Sequence, residues 1–122
     1  MSTTVKQRFI HATARKLRLV AGVVRGKPAE TALQTLAVTP KAAAKPVMHA
    51  VKSALASAKR DNPNGQFIIS AIFIDEGPAL KRRILHSRGR ASRMEHRMSH
   101  ITLTLEPTDT KAEVKKKSKK RK

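Results

Sequence analysis

Arginine is the residue type that decides what chemistry this sequence can do. Arg82, Arg83, Arg88, Arg90, Arg93 and Arg97, with Lys81, crowd into one stretch of the chain. A guanidinium presents a planar fork that can bond two phosphate oxygens at once, whereas a lysine ammonium acts as a point charge. A segment so rich in arginine suits crowded phosphates where water is scarce, as inside a folded nucleic acid. Gly89, set between two of the arginines, permits a turn with positive φ and a close approach of backbone to a surface. The plainer reading of the same stretch is a solvated basic loop with a flexible glycine.

His86, His96 and His100 lie in or beside this stretch with Glu95, and these are the residue types of an acid–base nuclease site. Such chemistry needs groups that converge in a pocket. The segment that carries them has too few large apolar residues to build one, so no enzymatic activity is expected. His100 is better suited to structure or RNA contact. With no cysteine in the chain and no zincin-like histidine spacing, neither a metal nor any other cofactor is expected.

The whole chain has the same bias. Its 122 residues, close to one average domain, carry 27 Lys and Arg against 8 Asp and Glu, a net charge of +19. That excess is too large to be a solubility device and points to a polyanion. Residues 1–77 hold twelve basic and four acidic residues, and residues 78–100 hold seven against one. Residues 111–122 hold eight against one and almost nothing to bury, so a Lys-rich tail over 108–122 is expected to be disordered until it meets an anion. The only aromatics are three Phe, which argues against recognition by stacking bases on aromatic platforms. The absence of cysteine suits a reducing compartment. The N-terminus lacks the apolar run of a signal peptide, and no stretch approaches the roughly 18–20 apolar residues of a membrane span. A soluble, cytosolic chain is expected.

The elements that must position the arginines follow from periodicity. Val5 to Ile10 alternates weakly, with Val5, Gln7 and Phe9 on one face, and suits a short strand before a turn at His11 and Ala12. Thr13 is a plausible N-cap for a helix whose apolar stripe is Ala14, Leu17, Val20, Ala21 and Val24. Arg15, Arg18 and Arg25 keep step on another side of that helix, as a phosphate-facing ridge or as an ordinary solvated face. Gly26-Lys27-Pro28 ends it and starts a second, marked by Ala29, Ala32, Leu33 and Leu36. Thr39-Pro40 looks like the next start, for a long helix with the seam Ala44, Met48, Val51, Leu55 and Ala58. Pro46 requires either a kink there or a true start near Lys45. After the turn Asp61-Asn62-Pro63-Asn64-Gly65, Phe67 to Ile74 reads as a strand with apolar residues on both faces. Ile101, Leu103 and Leu105 mark a half-buried strand. Folding residues 78–100 back on themselves gives a hairpin with arms of about 30 Å, which needs something to lie against.

These pieces together resemble a known family. Asp75-Glu76-Gly77-Pro78, Arg88-Gly89-Arg90-Ala91, Arg93, Arg97 and Ser99-His100-Ile101-Thr102 are similar to the signature of the universal large-subunit ribosomal protein called L-twenty-two in bacteria. Ala14-Arg15-Lys16-Leu17-Arg18-Leu19-Val20 and Val24-Arg25-Gly26-Lys27 match the family's first helix in order and spacing. The resemblance covers about residues 5–106 and departs from the family pattern at Leu85-His86-Ser87, Glu95 and Pro46.

The resemblance implies an α+β fold, with three helices packed on a three-stranded antiparallel sheet and a long protruding β-hairpin. The globular domain would comprise 1–77 and 100–107, and the hairpin arm 78–99. It implies a structural constituent of the large subunit that binds 23S-type ribosomal RNA and supports assembly. Neighbouring large-subunit proteins are expected partners, and the hairpin tip, Arg88, Gly89, Arg90 and Ala91, would line the nascent-peptide exit tunnel. RNA would be held on the hairpin by Lys81, Arg82, Arg83, Arg88, Gly89, Arg90, Arg93, Arg97, Ser99 and His100. On the body it would be held by Arg8, Arg15, Lys16, Arg18, Arg25 and Lys27. Neither a membrane nor a homo-oligomer is expected. The alternative is a general basic architectural protein that binds nucleic acid broadly.

Overall fold

The computed structural model of the chain describes residues 2–108, so the basic tail from 109 onward lies outside the described residues. In chain order the elements are β1 (Thr3–Ile10), α1 (Ala14–Val24), α2 (Ala29–Val38), α3 (Ala44–Asp61), β2 (Phe67–Leu85) and β3 (Ala91–Pro107). The strands form one antiparallel sheet in the order β1-β3-β2. The α+β architecture read from the sequence is the one found.

The helices form one layer on one face of the sheet. All five residues of the α1 stripe, Ala14, Leu17, Val20, Ala21 and Val24, are buried, and α1 lies over β2. Thr13 occupies the N-cap position with extended backbone, but its hydroxyl makes no capping bond. The helix α3 lies over β1 and β3 and packs against α2. Its alanines, Ala44, Ala50, Ala54 and Ala58, are all buried, and small side chains let helix and sheet approach closely. From the strands, Ile69, Ile72, Ile101, Leu103 and Leu105 complete the core.

Three expectations need correcting. Thr39 and Pro40 do not open α3; Thr39 is the C-cap of α2, its N–H donating to the Thr35 carbonyl at 3.1 Å. The helix begins at Ala44, which puts Pro46 in its first turn. There an N–H would have no intrahelical partner, so proline costs no bond. The run Phe67 to Ile74 is buried on one face only, and Phe73 on the other is 59% exposed. In β1, an irregularity between Gln7 and Ile10 breaks the alternation. Phe9 adopts φ 57° and points outward, and Ile10 takes the buried place.

β2 has two further irregularities, at Ile69/Ala71 and at Glu76/Ala79. The second falls on Gly77-Pro78, where proline is tolerated because a bulge has already interrupted the ladder. Gly77 packs directly on β3. A Cβ there would sit 3.1 Å from the Met98 carbonyl oxygen and 3.2 Å from His100 Cε1. Beyond this point the β2–β3 ribbon continues from Ala79↔Arg97 to Leu85↔Ala91, about 23 Å of ladder. The bulge and the tip take up the rest of the expected hairpin length.

Candidate nucleic-acid interface

Directly opposed residues of an antiparallel pair share a face, so the register sorts the ribbon's side chains. Ala79↔Arg97, Lys81↔Glu95, Arg83↔Arg93 and Leu85↔Ala91 lie on one face; Leu80↔His96, Arg82↔Met94 and Ile84↔Ser92 lie on the other. The first face gathers Lys81, Arg83, Arg93 and Arg97 around a single carboxylate, Glu95, which stands 3.6 Å from Arg97 Nε. The second is mixed, with Leu80 and Ile84 exposed beside Arg82. Along β3 the cationic face runs on into buried Ser99, Ile101 and Leu103, so it lies on the same side of the ribbon as the helices.

One cross-strand pair stands out. Arg83 and Arg93 are directly opposed and exposed, and like charges in that relation destabilise a ladder. The ribbon also lacks a buried residue from Ala79 to Met98. It thus contains a repulsion that an anion would relieve, and no core to offset it.

At the tip, the His86 N–H donates to the Arg90 carbonyl at 2.7 Å, closing a turn over Ser87–Gly89. Gly89 has φ 68°, the left-handed conformation glycine was expected to supply, and Arg88 shares it with φ 61°. For a residue with a Cβ that conformation costs about 1–2 kcal/mol. The arginine is held there with its side chain in solvent.

The body's cations divide by role. Arg15 and Lys16 are exposed on α1, and Arg15 lines a cleft with Gly77, Glu95 and Arg97, which joins the body to the base of the ribbon. Arg18 Nη2 donates to the Ile74 carbonyl at 3.1 Å and Arg25 Nη2 to the Ile72 carbonyl at 2.8 Å. Both reach the edge of β2 that has no neighbouring strand, and each keeps other donors for a ligand. Just above, the Gly26 N–H donates to Ile69 O and the Ile69 N–H to Lys27 O, both at 3.0 Å, so half-buried Lys27 also serves that edge through its backbone. Arg8 is exposed on β1, the opposite edge strand.

Two of the expected contacts have structural roles. Ser99 is fully buried on the inner face of β3, where its Oγ donates to the Ala12 carbonyl at 2.7 Å, so it cannot reach RNA directly. His100 is half-buried, and its Nδ1 accepts the Phe9 N–H at 3.1 Å. The three histidines do not converge: His86 bonds Ser92 Oγ at 2.7 Å near the tip, His96 faces Leu80, and His100 is held at the sheet. Among the described residues, no group of three or more His, Cys, Asp or Glu could hold a metal ion, and no helix is long and apolar enough to cross a membrane. Sequence reasoning missed the exposure of Phe9 and Phe73, because neither the bulge in β1 nor the open face of β2 leaves a mark in the hydrophobic pattern.

This arrangement can clamp phosphates along a thin ribbon and hold the body beside them. Comparison with known proteins leads to the same place. The family described as Ribosomal protein L22p/L17e matches residues 5–106. A large ribosomal subunit protein, uL22 of Desulforamulus reducens, is 42% identical over 100 residues, spanning 80% of this chain and 88% of that protein. A basic ribbon on a three-helix, three-stranded body, matched over nearly its whole described length, makes this chain a member of the L22p/L17e family of ribosomal proteins.

Proposed function

We propose that the chain binds large-subunit ribosomal RNA through the cationic face of its ribbon, supports assembly, and carries the ribbon tip to the nascent-peptide exit tunnel. Family membership makes it a structural constituent of the large ribosomal subunit, in the cytoplasmic ribosome, and not an enzyme. The observation that carries the RNA reading is the Arg83↔Arg93 pair within a face whose cations are all exposed. Such a face suits interleaved phosphates, and the Arg15–Arg97 cleft extends it onto α1. Arg88, Gly89, Arg90 and Ala91 form the end of the ribbon and are the residues proposed to meet the tunnel.

Sedimentation of a lysate at high salt tests the first part. The chain should stay with large subunits through the wash; release into free or DNA-bound fractions would favour a general architectural role, whose binding is broad and strongly salt-dependent. The tunnel placement has its own test. A photoreactive residue replacing Ser87, which is exposed at the tip, should crosslink to nascent peptide in stalled ribosomes. Labelling of RNA alone would remove the tip from the tunnel.

A further inference from the structure

The scarcity of aromatics argues against base stacking along the chain as a whole, but two of the three phenylalanines are exposed together on the outer face of the sheet, the face without helices. Phe9 is 57% and Phe73 59% exposed. The bulge in β1 sets the Phe9 ring edge-on to the His100 ring, with centroids 5.2 Å apart and an interplanar angle of 89°. The bond from the Phe9 N–H to His100 Nδ1 locks this arrangement. Phe73 stands opposite Thr102, two residues from His100 along the same face of β3, which makes it a diagonal neighbour at about 7–8 Å. Across Thr102 on the other side lies Lys6, about 9.5 Å from Phe73 at two strand spacings. Asp75 is opposite His100 at the far edge.

We propose that Phe73, His100 and Phe9 form a stacking platform for an unpaired base of the ribosomal RNA, with the attached phosphates turned toward Lys6. The proposal rests on the RNA-binding reading above and extends it to a surface away from the cationic face. Phe and His rings are the usual partners of splayed-out bases. Charge and polarity around the rings favour a nucleotide over an apolar protein segment: on the β1 side and along β3 the patch is bordered by Lys6, Thr102 and Thr104, although half-buried Met98 lies beyond His100 on the same face of β3. The charge is also polarised. Lys6 attracts phosphate at the β1 side, while the Asp75 carboxylate repels it at the β2 side and accepts hydrogen bonds from base amino groups.

Salt dependence distinguishes stacking from charge. The full chain is titrated with a large-subunit RNA fragment that keeps its unpaired loops, between 50 and 200 mM salt, as wild type, Phe73→Ala, Phe73→Leu and Lys6→Gln. Both Phe73 variants should bind about tenfold more weakly at every salt, on lines parallel to wild type. Lys6→Gln should make the line shallower by about 0.7–0.9. Because Phe73 is exposed, its variants should melt as wild type does. Wild-type affinity in both Phe73 variants would overturn the platform. So would wild-type affinity in Phe73→Leu alone, since apolar area and not a ring would then suffice. Unchanged RNA binding with failed entry into subunits would mean that a protein covers the patch, and would equally overturn it. If wild type itself ignores the RNA, the failure lies with the RNA-binding reading.

Discussion

Replacing Lys81, Arg83, Arg93 and Arg97 together with glutamine should flatten the plot of log affinity against log salt for ribosomal RNA by about three units. Each neutralised phosphate contributes a slope of about 0.7–0.9 through counterion release. Between 50 and 200 mM salt, wild type should therefore lose about two decades more affinity than the variant. These four share one face of the ribbon and are exposed. Arg97 gives up only a surface ion pair with Glu95, of a kind worth little to stability. The free variant should thus melt no lower than wild type, and relief of the Arg83↔Arg93 repulsion should move it upward. A slope that stays put while the fold is intact would mean that this face meets no phosphate.

Leu103→Ala should have the largest effect on the free protein. Leu103 is fully buried on the central strand, in register with Val5 on one side and Ile72 on the other. Truncating such a residue costs about 3 kcal/mol, a fall in Tm of about 12–24 °C for a domain of this size. The loss falls on a chain that already holds +19 together, and domains of this kind have only about 5–15 kcal/mol in total. Thermal unfolding followed by circular dichroism should show the drop, and a saturating RNA fragment should recover part of it, because a ligand that binds only the native state stabilises that state. An unchanged Tm would mean that the sheet core is not what limits stability.

Much of the body was legible in the sequence because its periods are simple. Ala14, Leu17, Val20, Ala21 and Val24 repeat at helical spacing, and all five are buried. Ile101, Leu103 and Leu105 alternate with threonines and point inward. What could not be read depends on pairing between distant segments. The bulges at Gln7/Ile10 and Glu76/Ala79 decide which side chains share a face, and an inserted residue looks the same in sequence as a regular one. The division of the arginines into a cationic ribbon face and Arg82 behind it follows only from register. Likewise, the roles of Arg18 and Arg25 depend on β2 carbonyls at Ile74 and Ile72, some fifty residues away. Ser99 was counted as an RNA contact on family likeness, although it continues the inward alternation of Ile101, Leu103 and Leu105; its full burial opposite Ile10 and its bond to the Ala12 carbonyl show it to be internal.

The Arg18 and Arg25 bonds also bear on the life of the protein before it joins a ribosome. A newly made copy diffuses alone, and an open strand edge invites a second copy to zip on. Over Ile69 to Ile74 that invitation is withdrawn by the α1–α2 turn and the two guanidinium groups. Farther out, from Ala79 to Leu85, none of the described residues covers the edge in this way, and there the like charge of two ribbons would oppose their pairing. The protection is therefore of two kinds, one built into the fold and one that would lapse if phosphates neutralise the ribbon as proposed. On that reading it would lapse only where the RNA also takes the place a second copy would have filled.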